Sequence, residues 1–248
     1  MANARTLVIG DIHGGLKALV QVLGRAEVSA NDQLIFLGDY VDGWPDTDHL
    51  ITFLIQLKQT HTCIFLKGNH EELFLNWYYN QKQDLIWLTN GGQSTYNIYK
   101  KIDQEIKKQH IEFIESLDLY HVDDQNRLFV HGGYTNLRGI ESEYYENMVY
   151  WDRTLWETAL ALDPNLDTTH IRYPKRLKRF KEIYIGHTTV QEIGENTPQN
   201  FGNVWNIDTG SGFGHKLSIL DVDTKEFWQS DNLSELYNSP GRVFVPRL

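Results

Sequence analysis

Leu34-Ile35-Phe36-Leu37-Gly38-Asp39-Tyr40-Val41-Asp42 decides how this chain is read. A short apolar run ending in glycine and then aspartate reads as a buried strand that delivers a carboxylate at its C-terminal end. Two neighbours repeat the design. Leu7-Val8-Ile9 precedes Gly10-Asp11-Ile12-His13-Gly14, and Ile64-Phe65-Leu66 precedes Lys67-Gly68-Asn69-His70-Glu71. Asp11 and Asp39 stand 28 residues apart, and Asp39 and Asn69 stand 30 apart. Each gap is the length of one strand-helix-strand unit. Leu16, Leu19, Val20 and Leu23 follow the first strand at helical spacing. Leu50, Ile51, Phe53, Leu54 and Leu57, behind a cap at Asp46 or Thr47, follow the second. Right-handed crossovers then predict three parallel strands of one sheet, with Asp11, Asp39 and Asn69 along the edge where open α/β sheets bind ligands.

The 248 residues are long enough to bury a full core without staples, and no Pro/Gly/Ser linker or internal repeat divides them. A single domain over residues 1–248 is expected. One cysteine, Cys63, allows no internal disulfide and fits a reducing compartment. Met1-Ala2-Asn3-Ala4-Arg5 runs straight into the first strand, and no apolar stretch approaches the ~18 residues of a membrane span. A cytoplasmic protein with no membrane partner follows. A net charge of −10 argues against nucleic acid as a partner, which wants a basic face. The acidic excess reads either as solubility or as carboxylates gathered to hold cations.

The middle of the chain, residues 72–117, carries helical patterns broken at Asn90-Gly91-Gly92. One helix is expected from Asp103 to Ser116, burying Ile106, Phe113, Ile114 and Leu117. Leu119–Val122 and Arg127–Val130 read as a hairpin about Asp123-Asp124-Gln125-Asn126, and the second strand runs into His131-Gly132-Gly133. Residues 141–162 are aromatic and acidic and read as helical. Lys175, Arg176, Lys178, Arg179 and Lys181 form either a solvated helix face or a docking patch for acidic substrates. Ile183-Tyr184-Ile185 ends in Gly186-His187, and short strands follow at Val204–Ile207, Lys216–Val222 and Glu226–Gln229.

The strands thus deliver Asp11, His13, Asp39, Asn69, His131 and His187. In an extended segment residues i and i+2 point the same way, which lets Asp11 and His13 grip one cation. Carboxylate, imidazole and amide oxygen without thiolate suit Mn, Fe or Zn in a catalytic rather than a structural site. Six ligands suit two ions, about 3.5–4 Å apart and bridged by one carboxylate, better than one ion with open positions. Asp39, on the middle strand, is the natural bridge.

Gly10-Asp11-Ile12-His13-Gly14, Gly38-Asp39-Tyr40-Val41-Asp42, Gly68-Asn69-His70-Glu71, His131-Gly132-Gly133 and Gly186-His187 resemble the ordered motifs of the calcineurin-like metallophosphoesterases. The likeness extends to the bacterial phosphoprotein phosphatases. Asn206-Ile207-Asp208-Thr209-Gly210 with Lys216-Leu217 also resembles bacterial members that include symmetrical dinucleoside tetraphosphatases. The resemblance implies an α/β, four-layer sandwich of two mixed β-sheets flanked by helices. It implies Asp11, His13 and Asp39 on a first metal, and Asp39, Asn69, His131 and His187 on a second, with manganese favoured over iron or zinc. It makes His70 the general acid and Asp42 the carboxylate that orients it. An imidazole beside two cations needs such a carboxylate to keep its proton.

One position departs from the pattern. The family's second motif usually continues with an arginine that clamps substrate phosphate, and here Gly43 and Trp44 follow Asp42. Arg153 resembles the family's other phosphate-binding arginine and is expected to be the main guanidinium at the site. Trp44 is expected to present an apolar wall to the substrate. The resulting expectation is a two-metal phosphoester hydrolase in which a bridging hydroxide attacks phosphorus directly. Its expected substrate is a phosphoserine, phosphothreonine or phosphotyrosine protein. The alternative is a small phosphorylated molecule such as a dinucleoside tetraphosphate.

Overall fold

The computed structural model describes residues 4–82, 84–239 and 241–242. Its first sheet is built as the apolar runs require. β1 (Thr6–Ile9), β2 (Gln33–Phe36) and β3 (Thr62–Phe65) pair in parallel, with β2 in the middle. The crossovers are α1 (Leu16–Arg25) and α2 (Thr47–Leu57), and α3 (Asn69–Asn80) follows β3. The second sheet begins with the expected hairpin of β4 (Tyr120–Val122) and β5 (Arg127–Val130) and continues with β6 (Glu182–Ile185). β7 (Gln199–Phe201), a polar edge strand absent from the sequence reading, turns through Gly202 at φ +60° into β8 (Val204–Asn206). β9 (Ser218–Asp221) and β10 (Phe227–Gln229) return antiparallel to the first sheet.

Both sheets are mixed. Their orders are β10-β9-β1-β2-β3 and β4-β5-β6-β8-β7, and the inner strands β5, β6 and β8 of the second run parallel. Alternation along each strand decides the layers. Val8, Ile35, Leu37, Leu220 and Val222 face across to Phe129, Tyr184 and Ile207 and form the core between the sheets. Leu7, Ile9, Leu34 and Phe36 point the other way, onto α1, α2, α3 and the helix Gln104–Glu115. Leu128, Val130, Ile183 and Ile185 pack against the helix Thr154–Leu160 through Leu155, Trp156 and Ala159. The result is helices, sheet, sheet, helices. Both faces of each inner strand are buried, so these strands read as unbroken apolar runs, each large side chain worth about 1.5–3 kcal/mol.

Three sequence expectations shift. Helical spacing puts Val20 on the apolar stripe of its helix and Ile106 among the residues expected to be buried, yet they are 51% and 41% exposed. In each helix the buried stripe is completed by neighbours: Ala18, Leu19 and Val22 in α1, and His110, Ile111, Phe113 and Ile114 in Gln104–Glu115. Residues 141–162 are not one helix. A 3-10 turn at Ile140–Ser142, a turn of helix at Met148–Trp151 and the helix Thr154–Leu160 share the stretch. Asp152 breaks it, because its carboxylate caps the next helix by accepting from the Thr154 and Leu155 backbone N–H at 3.0 Å each. Among the described residues no helix is long and apolar enough to cross a membrane.

Candidate active site

Three parallel strands from each sheet end at one place. Asp11, Asp39 and Asn69 follow β1, β2 and β3, while His131, His187 and Asp208 follow β5, β6 and β8. All six are buried. Close approach of backbones makes this possible. A Cβ at Gly68 would strike the Asp39 carboxylate, and one at Gly186 would strike that of Asp11. His13, Asp39, Asp42 and His187 hold left-handed φ of +52°, +54°, +69° and +67°. Non-glycine residues persist there only where the surroundings over-determine them, a condition common at functional sites.

His13 therefore reaches the site by a turn and not, as its spacing from Asp11 led one to expect, through an extended segment. Its Nδ1 faces the Val41 carbonyl at 3.3 Å, which leaves Nε2 toward Asp39 Oδ2 at 3.5 Å. Asp39 lies in two tight sets of ligand atoms, each within 4.8 Å: one with His13 and His70, the other with His131 and His187. Asn69 Oδ1 lies 3.1 Å from His131 Nε2, whose Nδ1 donates to the Leu37 carbonyl at 2.8 Å. Asp11 belongs to neither tight set. Its Oδ2 accepts from the His187 backbone N–H at 3.0 Å, and its Oδ1 is buried without a partner, as is His187 Nε2.

Burial raises Asp11 well above the usual carboxylate range, reinforced by Asp208, which burial itself pushes up to about 6. Burial also acts on Asp39, but His131 and His70 outweigh it and hold Asp39 well below its ordinary value. Burial holds His13 and His187 in the neutral form, with the guanidiniums of Arg242 and Arg153 acting in the same direction. Burial lowers His131 too, but Asp39 and Asp11 outweigh it and push it up to about 9, so a cation there would displace its Nε2 proton. Neutral His13 and His187, an ionised Asp39 and the orphaned atoms of Asp11 and His187 suit divalent cations as a donor set. The residues present fit two ions sharing Asp39.

His70 Nδ1 meets Asp42 Oδ2 at 2.7 Å, leaving its Nε2 4.0 Å from Asp39 Oδ2. Arg153, exposed at the start of the helix Thr154–Leu160, donates through Nη1 to the His187 carbonyl at 3.1 Å and to Thr188 Oγ1 at 2.8 Å. The nine residues expected from sequence are thus together. Of the basic cluster, Arg176 turns inward onto Tyr134 O and Thr158 Oγ1 at 2.7 and 2.8 Å. Lys175, Lys178 and Arg179 line an open groove that contains none of those nine.

Trp44 corrects an expectation. It is 1% exposed, stacks on Tyr237 with centroids 5.0 Å apart, and donates from Nε1 to Ser211 O at 2.9 Å. It is a core residue and offers the substrate no wall. Arg153 is also not alone. Arg242 reaches the site from the far end of the described chain, with Nη1 3.2 Å from both ring nitrogens of His13.

Two carboxylates that lie within the quoted motifs, without a role expected of them, join the site. Glu71 accepts four backbone N–H groups: Asp39 and Gly68 on Oε2 at 3.0 and 2.9 Å, and Tyr40 and Val41 on Oε1 at 2.7 and 3.2 Å. Asp208 follows a strand of the same grammar, but Ile207 stands where Asp11, Asp39, Asn69 and His187 have glycine before them, and no glycine follows it directly as Gly132 follows His131. Trp87 Nε1, which donates to Asp42 Oδ2 at 2.7 Å, carried no sequence signal at all.

Comparison with known proteins agrees with this geometry. The pattern defining the calcineurin-like phosphoesterases matches residues 4–193. The chain is 29% identical over 237 residues to a bis(5'-nucleosyl)-tetraphosphatase PrpE [asymmetrical] of Oceanobacillus iheyensis, covering 89% of both chains. It is 26% identical over 230 residues to the protein of that name from Anoxybacillus flavithermus, covering 86% of this chain and 88% of the relative. A crystal structure assigned provisionally as a diadenosine tetraphosphatase superposes with a TM-score of 0.63 at 17% identity, covering 93% of this chain and 95% of that one. A serine/threonine phosphatase from Saccharomyces cerevisiae gives 0.59 at 15% identity, covering 92% and 80%, and at such identities the likeness is one of fold. On the span of the match, over a site assembled from both of its sheets, the chain belongs to the calcineurin-like phosphoesterase family.

Proposed function

We propose that this metallophosphoesterase hydrolyses a small phosphoanhydride, a dinucleoside tetraphosphate being the favoured substrate, with His70 as its general acid. The observation that carries the chemistry is the sharing of Asp39 between the His13 and His131–His187 sides of the centre. We assign Asp11, His13 and Asp39 to one cation and Asp39, Asn69, His131 and His187 to the other. Divalent ions held there, with manganese favoured, would polarise a phosphoryl group and supply a nucleophile from water at neutral pH. Asp42 holds the Nδ1 proton of His70, so Nε2 can carry a proton to the leaving oxygen. Arg153 offers a guanidinium to phosphate oxygens at the His187 rim.

The substrate class rests on the relatives matched along most of their length, which are named tetraphosphatases. Their name carries the asymmetrical cleavage, whereas the sequence motifs had resembled symmetrical enzymes. The phosphatases of phosphoproteins among the similar structures stand below 25% identity, where the likeness is one of fold. The deciding experiment uses metal-stripped enzyme resupplied with Mn²⁺. Turnover of a dinucleoside tetraphosphate is compared with that of phosphoserine and phosphotyrosine peptides. A kcat/KM higher on the peptides would reverse the assignment. For the dinucleotide, the products discriminate the two cleavages: a mononucleotide with a triphosphate, or two diphosphates.

A further inference from the structure

Arg242 occupies space that two glycines leave open. A Cβ on Gly91 would lie 2.9 Å from Arg242 Cδ, and one on Gly43 would lie 3.5 Å from it. Gly241, at φ +74°, seats the backbone against Trp44, where a Cβ would meet the indole at 2.7 Å. The Arg242 N–H donates to Gly212 O at 3.2 Å, and the guanidinium lies 4.9 Å over the Phe213 ring. Backbone, stem and head are each held, so the guanidinium is aimed and not merely nearby.

No carboxylate reaches that guanidinium directly. Among the described residues Arg242 forms no ion pair, its Nε is buried without an acceptor, and the nearest polar side chain to its guanidinium is the His13 imidazole. Asp39, Asp42, Asp208 and Asp11 act on it only from beyond ion-pair distance, and the cations would take up Asp39 and Asp11. A desolvated cation so placed is costly unless an anion completes it. Two divalent ions beside it would sharpen that need, and one on His13 would take the nitrogen that Nη1 now faces. Arg153 stands on the His187 side of Asp39, while Arg242 stands on the His13 side.

We propose that Arg242 is a substrate-binding residue that grips a phosphate oxygen on the His13 side of the centre, so that Arg242 and Arg153 flank a phosphate held over Asp39. A segment remote in sequence thereby supplies the guanidinium that Gly43 cannot. The inference rests on the phosphohydrolase reading above.

The test uses Mn²⁺-loaded wild type, Arg242→Ala and Arg242→Lys. Steady-state kinetics on a dinucleoside tetraphosphate are set beside calorimetric binding of inorganic phosphate, metal content and thermal melting. Arg242→Ala is expected to keep both metals and its melting temperature. It is expected to bind phosphate at least about tenfold more weakly, the scale of one charged hydrogen bond, and to lose about 10²–10³ in kcat/KM. Arg242→Lys regains only part, since an ammonium lacks the planar fork. Unchanged phosphate affinity and kcat/KM in Arg242→Ala overturn the proposal. So does loss of metals or of folding in both variants, which assigns Arg242 to structure. If wild type hydrolyses no phosphate compound, the functional reading fails, while the phosphate-binding comparison still decides the role of Arg242.

Discussion

His70 Nδ1 and Asp42 Oδ2 meet at 2.7 Å, and both residues are buried. The same carboxylate oxygen accepts from Trp87 Nε1 at 2.7 Å, and the Asp42 backbone N–H donates to Thr95 Oγ1 at 2.9 Å. Asp42 is therefore fixed from three directions, and it fixes in turn which nitrogen of His70 faces the centre.

That arrangement predicts a dependence on the leaving group. His70→Asn is expected to retain both metals and to slow hydrolysis of an alkyl phosphoester by about 10²–10⁴, the usual contribution of a general acid. Nitrophenyl phosphate, whose phenolate departs with little help, should lose far less. Asp42→Asn should follow the same pattern more weakly. Equal losses on the two esters would remove His70 from the acid role.

Asp39→Asn is expected to abolish turnover and to empty both subsites, because a neutral amide bridges two cations poorly. Elemental analysis after gel filtration reads the outcome directly. Two ions retained at full occupancy would show that Asp39 does not bridge.

Glu71 should matter to the backbone more than to the chemistry. Its carboxylate satisfies four buried N–H groups of the two turns that carry Asp39 and Asn69. Glu71→Ala orphans all four, and with about 1–3 kcal/mol for each unsatisfied group a loss of at least ~4 kcal/mol is expected. Glu71→Gln should fail to rescue it, since the amide turns an NH₂ toward two donors. Urea unfolding measures both variants, and a shift below 1 kcal/mol, about the worth of a single ordinary hydrogen bond, would argue against the clamp.

His110 gives a pH dependence away from the metals. It is 1% exposed between Thr52 Oγ1 and Tyr99 OH, each at 2.9 Å, and burial pushes it down from its ordinary 6.5 to about 4. The unfolded chain thus takes up this proton first as pH falls. The contribution is complete above pH 6.5 and is lost on the way down to about 4, with about 2 kcal/mol gone at pH 5. His110→Gln should be less stable than wild type at pH 7.5 and should lack this part of the acid slope. Parallel stability curves for the two proteins between pH 7.5 and 5 would contradict it.

Much of the site was legible because its residues follow one local rule. A strand of apolar residues, a glycine and then Asp, Asn or His can be recognised from about ten consecutive positions. Burial of both strand faces is what makes those runs apolar. Asp208 obeys the strand part of the rule but has no glycine on either side, whereas His131, which also lacks one before it, runs directly into Gly132-Gly133. Val20 and Ile106 were misplaced for a related reason: helical spacing defines a stripe, but its edges are set by which neighbour covers them.

Residue pattern alone was enough for the parallel order of β1, β2 and β3, the donor types at their ends and the pairing of the hairpin β4–β5. Each of these follows from propensity and periodicity within a few turns of chain. His131 and His187 were already grouped with these donors by their motifs, but it took the packing of the two sheets to bring Asp208 to the same edge. Only the tertiary structure decided that Trp44 lies under Tyr237, and that Arg242 fills the space beside Gly43. Those contacts join residues far apart along the chain, and their free energy comes from desolvation and close packing between surfaces. A local pattern cannot express that, because neither partner's neighbours in sequence are changed by it.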